Sequence, residues 1–196
     1  MSEYLALGTV RQYETSAEHG HLIARVRQEL ESRAPSMVEP AETFVTGEGP
    51  DVALLIIPHH WLGGISLVVW SESPQIGLRW IALTDLKDHD QIDRGHPVAH
   101  WQINGDSRLD QFAATLQSEL SRPLRLNWIF QGASANPRRV SATLDLDGKT
   151  VKLCVRSQRT LLPFHQREIL EETSLSSKES PRFRLPVPLE KLVSQA

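Results

Sequence analysis

The chain has 196 residues, 40% of them hydrophobic and 23% charged, and a formal net charge of −3. This length is typical of one domain with a single core, and the composition excludes an intrinsically disordered chain. The acidic balance disfavours nucleic acid and anionic membranes as the main ligand.

The first predicted element is an amphipathic helix over residues 16–33. Thr15 and Glu18 have the spacing of a capping box. Apolar residues then recur on one helical face until Pro35 ends the pattern, namely Leu22, Ile23, Val26 and Leu30. The next segment, residues 35–50, is rich in proline and glutamate, which predicts a linker.

Four strands are predicted next, over residues 52–57, 65–70, 76–83 and 98–103. The first two are continuous apolar runs rich in β-branched residues, a composition typical of strands covered on both faces. Residues 58–64 form a short loop and residues 84–97 a long polar one. Short connections favour antiparallel neighbours in a sheet.

A second helix is predicted to begin near Ser107 and to end before Pro123. Its apolar stripe has helical spacing and consists of Leu109, Phe112, Ala113, Leu116 and Leu120. A strand follows, because apolar and polar residues alternate from Leu124 to Phe130.

Asp147 and Gly148 lie between two alternating runs, which predicts a β-hairpin with a two-residue turn of the primed type. Counting outward from the turn gives a register with one apolar face. The predicted pairs are Leu146 with Lys149, Leu144 with Val151, Ala142 with Leu153, and Val140 with Val155.

The C-terminal part is predicted to contain a short helix over residues 164–172 and an extended segment that begins at Pro181. Three prolines in its first eight residues exclude a helix there. The elements together predict an α+β fold. We expect a single domain over residues 1–180, with a largely antiparallel β-sheet and two main helices, and an extended C-terminal tail over residues 181–196.

The location is predicted from what the sequence lacks. The N-terminus has no basic region followed by an apolar stretch, and the longest apolar run is too short to cross a membrane. The single cysteine, Cys154, lies between apolar residues and is predicted to be structural. We therefore expect a cytoplasmic protein with no membrane partner.

Five of the eight histidines lie within 42 residues, which we call the histidine-rich stretch: His59, His60, His89, His96 and His100. Imidazoles and the interspersed aspartates are metal-ligand and proton-transfer groups. His96 and His100 have the i, i+4 spacing of two metal ligands on one helical face, but Pro97 and the strand-like residues after it favour a loop and a strand there. No complete zinc or catalytic motif is present. If the first three strands are antiparallel neighbours, loops 58–64 and 84–97 form a rim at one end of the sheet. We predict no cofactor.

One resemblance favours a different chemistry. Asp85 and Lys87 follow the third predicted strand with the spacing Asp-x-Lys, and Asp51 lies upstream. Over residues 16–130 the order of elements resembles the restriction-type nucleases of the PD-(D/E)xK class. The resemblance implies a divalent metal held by the two carboxylates, with the lysine polarising the attacking water.

The sequence contains no coherent catalytic set, and this favours a non-enzymatic, bacterial-type protein-interaction module: an adaptor, chaperone, immunity-like factor or assembly subunit. The partner would be another protein or a second copy. Predicted contact residues are Trp61, Asp88, His89, Asp90, His96, His100, Arg182, Phe183, Arg184 and Leu185. The tail residues have a second interpretation, a strap over the domain's own surface. The alternative function is a metal-dependent hydrolase or nuclease using Asp51, Asp85, Lys87 and nearby histidines.

Overall fold

The computed structural model describes residues 4–7, 17–46, 52–62, 64–72, 75–82, 95–102, 106–156 and 166–185. Two helices are present in these ranges, α1 over Ala17–Arg33 and α2 over Asp106–Leu120. The strands are β1 Ala6–Leu7, β2 Phe44–Thr46, β3 Val52–Pro58, β4 Ile65–Glu72, β5 Gln75–Ala82, β6 His96–Gln102, β7 Leu124–Gln131, β8 Arg139–Leu146, β9 Lys149–Arg156 and β10 Gln166–Thr173. Neither helix is long and apolar enough to span a bilayer.

The first sheet contains six strands in chain order, β1 to β6. Every pair is antiparallel except β1 with β2. The prediction that the first three long strands are antiparallel neighbours is confirmed, since Leu67 pairs with Ile57 on one side and with Trp80 on the other. In the described residues both faces of β3 and β4 are buried, as the continuous apolar runs of these two strands predicted.

The predicted linker over residues 35–50 contains regular structure. A 3-10 turn, Pro40–Glu42, leads into β2, where Phe44 pairs with Ile56 and Val45 with Leu55. The linker prediction was wrong at these residues because a three-residue strand is too short to show alternation. Pairing with β3 determines its conformation.

The second sheet contains four antiparallel strands in the order β10-β7-β8-β9. The predicted α+β class with largely antiparallel strands and two helices is confirmed. The strands form two sheets where one was expected, because β7 follows α2 and starts a separate sheet. Periodicity shows which residues of a strand face a core, but it does not show which other strands that strand pairs with.

The hairpin prediction is confirmed at every predicted pair, from Leu146 with Lys149 to Val140 with Val155. Asp147 and Gly148 have φ angles of 47° and 74°. A type I′ turn needs positive φ at both central residues, so the turn residues fix the register.

The prediction of a helix over residues 164–172 was wrong where the structure describes this segment. Residues Gln166–Thr173 form β10, an edge strand paired along its whole length with β7. Glutamate, glutamine, arginine and leucine favour helices, but hydrogen bonding to β7 overrides that local preference.

Both predicted helices are confirmed within the described residues. In α1 the Ala34 amide donates to the Leu30 carbonyl at 2.7 Å, and Pro35 then prevents continuation. Side chains from both helices and both sheets share one hydrophobic core, in which Trp80 and Trp128 are the largest fully buried residues. This core fixes where the loops of the first sheet and the edge of the second lie.

Candidate functional site

The histidine-rich stretch begins at one end of the first sheet. Ile65 at the start of β4 pairs with Ala82 at the end of β5, and Trp80 pairs with His96 at the start of β6. The loop after β3, the end of β5 and the start of β6 therefore lie at the same end. The predicted contact residues Asp88, His89 and Asp90 lie outside the described residues.

His59 is a fully buried residue of the loop between β3 and β4. Its backbone amide donates to the Ile65 carbonyl at 2.9 Å, and its ring Nδ1 accepts the Trp61 amide at 3.2 Å. Burial lowers the pKa of His59 to about 3, because an imidazolium would lose its hydration there. The neutral ring holds the loop that carries Trp61.

His60 points elsewhere. Its Nδ1 lies 2.8 Å from the Glu42 Oε1, and its amide donates to the Met37 carbonyl. His96 and His100 are both in β6, beside Trp80 and Gly77 respectively, and the strand separates their backbones by roughly 13 Å. In the described ranges no three metal-ligating side chains are grouped together.

The residues of the nuclease resemblance, Asp51, Asp85 and Lys87, lie outside the described residues. The order of elements differs from the one that suggested it. In the described ranges, five strands, β2 to β6, lie between α1 and α2, and the strand after α2 belongs to the other sheet.

The start of the predicted tail packs on the domain itself, and we call residues 181–185 the strap. Burial alternates along it: Pro181 and Leu185 are buried, Phe183 is half-buried, and the two arginines between them are exposed. The Arg182 amide donates to the Glu171 carboxylate at 2.8 Å, and the Leu185 amide to the Trp61 carbonyl at 3.2 Å. The strap thus connects β10 of the second sheet with a loop of the first.

Phe183 anchors the middle of the strap in an aromatic cluster. Its ring lies 4.8 Å from that of Phe130 and 5.9 Å from that of Trp128, both edge to face. The indole N–H of Trp128 donates to the other oxygen of Glu171 at 3.0 Å. Because Glu171 also accepts the strap amide, one half-buried carboxylate holds both the core tryptophan and the strap.

Three exposed arginines surround this cluster: Arg167 on β10, and Arg182 and Arg184 on the strap. The Arg184 guanidinium lies 5.7 Å from the centre of the Trp61 ring, and that of Arg167 lies 4.6 Å from the centre of Phe130. These distances are within cation–π range. We call these arginines, with Trp61 and Phe183, the arginine surface.

Among the residues that the structure describes, the three arginines of the arginine surface form no ion pair. No carboxylate there lies within ion-pair distance of Arg167, Arg182 or Arg184. Arginines elsewhere do form such pairs, as Arg122 does with Glu119 and Arg25 with Glu29. Arg167 and Arg184 lie on aromatic rings, and all three arginines are exposed. Such guanidinium groups can bind carboxylates or phosphates of another molecule.

The structure brings together five of the predicted contact residues, Trp61 and Arg182 to Leu185. His96 lies at the same end of the first sheet as Trp61, while His100 is exposed further along β6. Sequence reasoning missed Arg167, because its segment was predicted as a helix. The signal that could have identified it is the spacing by two of Arg167, Ile169 and Glu171.

Comparisons of this chain with protein-family models, curated proteins and solved structures found no match.

Proposed function

We propose that this protein is a non-enzymatic interaction module that binds a protein partner through the arginine surface. In this proposal it acts in the bacterial cytoplasm as an adaptor, chaperone, immunity-like factor or assembly subunit. Its binding energy would come from a few side chains around Trp61 and the strap. His96 would lie at the border of the contact, and the predicted contacts of His100 and of Asp88, His89 and Asp90 stay predictions.

The observation that carries the proposal is the stacked pair of Trp61 and Arg184. Tryptophan and arginine are the residue types most enriched among binding hot spots. A buried residue holds each of them in place. The Trp61 amide donates to the ring of the buried His59, and Arg184 is followed by the buried Leu185. A partner that meets a pair already fixed in place loses less side-chain entropy on binding.

A comparison of three baits tests this proposal. The wild-type protein, a Trp61→Ala/Arg184→Ala variant and an Arg125→Ala control are immobilised and exposed to lysate of the source organism. Arg125 is an exposed arginine on β7 whose nearest carboxylate is Asp145, so its removal leaves the arginine surface intact. We expect a partner that the wild type and the control retain and the double variant loses.

The captured partner is then purified and titrated against the same three proteins, with circular dichroism confirming that each is folded. Equal affinity for the double variant and the wild type would contradict the proposal. Binding of a divalent ion that is abolished by Asp85→Asn would favour the hydrolase instead.

A further inference from the structure

We propose that the arginine surface recognises an extended acidic segment of the partner, with carboxylates at alternate positions. This inference rests on the proposed function and adds the chemistry of the ligand. It begins from a contrast in charge. The whole chain is acidic, with 24 carboxylate residues against 21 lysines and arginines, yet three arginines without a described ion pair meet at this one place.

The acid nearest the strap, Glu171, forms no ion pair with these arginines. Both oxygens of Glu171 accept hydrogen bonds, one from the Trp128 indole N–H and one from the Arg182 backbone amide. Both of its oxygens therefore hold the strap and the core tryptophan, and neither lies within ion-pair distance of the three guanidinium groups. The guanidinium groups of Arg167, Arg182 and Arg184 stay available to carboxylates from outside.

The geometry of the strap determines the spacing of the ligand. Pro181, Phe183 and Leu185 face the domain, so Arg182 and Arg184 face outward, two residues and roughly 6–7 Å apart. Alternate residues of an extended peptide share a face with the same separation. Carboxylates at positions i and i+2 can then each form a two-pronged contact with one guanidinium.

A polypeptide is favoured over nucleic acid, although phosphates also bind arginine. Proteins that bind nucleic acid concentrate basic residues over a whole domain, whereas this chain has a formal charge of −3. The arginine surface is confined to one place, and the aromatic rings there are already in contact with the protein's own Arg167 and Arg184. We therefore assign it to a short acidic stretch of protein.

The test uses three fluorescent probes at low ionic strength with the full chain. One peptide alternates glutamate with serine, a second has the same composition with its glutamates consecutive, and the third probe is oligothymidine of similar length. Fluorescence anisotropy measures each affinity. We expect the alternating peptide to bind several-fold more tightly than the consecutive one, and oligothymidine to bind more weakly than either.

Charge-reversal variants identify the surface. Arg182→Glu/Arg184→Glu should weaken binding of the alternating peptide at least about tenfold, since each lost contact is charge-assisted. The control, Arg125→Glu/Lys152→Glu, changes the net charge equally at two exposed residues of the second sheet and should bind within about twofold of wild type. Equal losses in the two variants would overturn the assignment, because only net charge would then matter.

Two further outcomes are decisive. Tighter binding of oligothymidine than of the alternating peptide would identify a nucleic-acid surface and overturn the inference. If neither peptide binds, while the captured partner still requires Trp61 and Arg184, the acidic ligand is wrong and the proposed function stands. If the captured partner is also insensitive to both residues, the proposed function fails as well.

Discussion

Burial keeps the His59 side chain uncharged, and this makes the stability of the folded protein depend on pH. The ring accepts the Trp61 amide through Nδ1, and in the described part of the chain no group bonds to Nε2. The folded protein thus keeps the imidazole neutral at pH values where an exposed histidine is already protonated. The pKa of His59 is about 3 in the folded state against an ordinary value of 6.5.

We predict that the free energy of unfolding falls as the pH is lowered from about 6.5 towards 3. In that window the unfolded chain binds a proton at residue 59 and the folded chain does not, so the slope from this residue approaches about 1.4 kcal/mol per pH unit. His59→Asn keeps an acceptor for the Trp61 amide and removes the titration. Urea unfolding across this pH range should show a shallower dependence for the variant.

His21, which is exposed on α1, provides the control. A His21→Asn variant should keep the pH dependence of the wild type. If His59→Asn also keeps it, residue 59 is not the group that titrates.

Gly77 is required because the Trp70 indole lies directly over it. A Cβ at residue 77 would lie 1.9 Å from Nε1 of that indole, whereas a Cβ at Gly20 in α1 would have no atom within 4 Å. We predict that Gly77→Ala lowers the free energy of unfolding by about 1–3 kcal/mol through overpacking. Gly20→Ala should raise it by about 0.5–1 kcal/mol through helix propensity.

Urea denaturation measures both glycine variants, and tryptophan fluorescence reports the displacement of Trp70. A Gly77→Ala protein with unchanged stability and fluorescence would contradict the close approach of the indole.

At the scale of elements, predictions succeeded where a segment's own pattern determines its structure. The stripe of α2, the runs of β3 and β4, and the turn at Asp147 and Gly148 each contain the information within a few residues. β10 lacks such information, because Gln166–Thr173 contains good helix formers and becomes a strand only beside β7. Because this segment was predicted as a helix, Arg167 was not among the predicted contact residues.

The strand assignment of β10 predicts unequal effects of substitution at two adjacent aliphatic residues. Leu170 is 78% exposed, so Leu170→Lys should change the free energy of unfolding by less than about 0.5 kcal/mol. Ile169 packs against the core, and Ile169→Lys should lower it by about 2 kcal/mol or more. Thermal unfolding of the two variants tests this, and similar losses at both positions would argue against the alternation.

At the scale of the whole molecule, the strap connects the two sheets. Leu185 is 2% exposed beside Trp61, and Phe183 lies on the aromatic residues of β7. Residues predicted as the start of an extended C-terminal tail thus pack on the domain, and the exposed arginines lie between them. This arrangement lets a short segment contribute both to stability and to the arginine surface.

Two truncations isolate the contribution of the strap. A chain that ends after Ser180 should be less stable than one that ends after Leu185 by about 3 kcal/mol, since only the first loses the contacts of Phe183 and Leu185. Urea unfolding of the two proteins measures the difference. Equal stabilities would show that the strap adds little to the fold.

The sequence by itself determined the α+β class, both helices, the long strands of the first sheet and the hairpin register. These depend on helical spacing, alternation and turn residues, which act between near neighbours in the chain. Only the tertiary structure decided that the strands divide into two sheets, that β10 is a strand, and that Arg167 and Arg184 flank one aromatic cluster. Those features depend on contacts between residues far apart in the chain, such as Trp61 with Arg184, and local periodicity does not encode them.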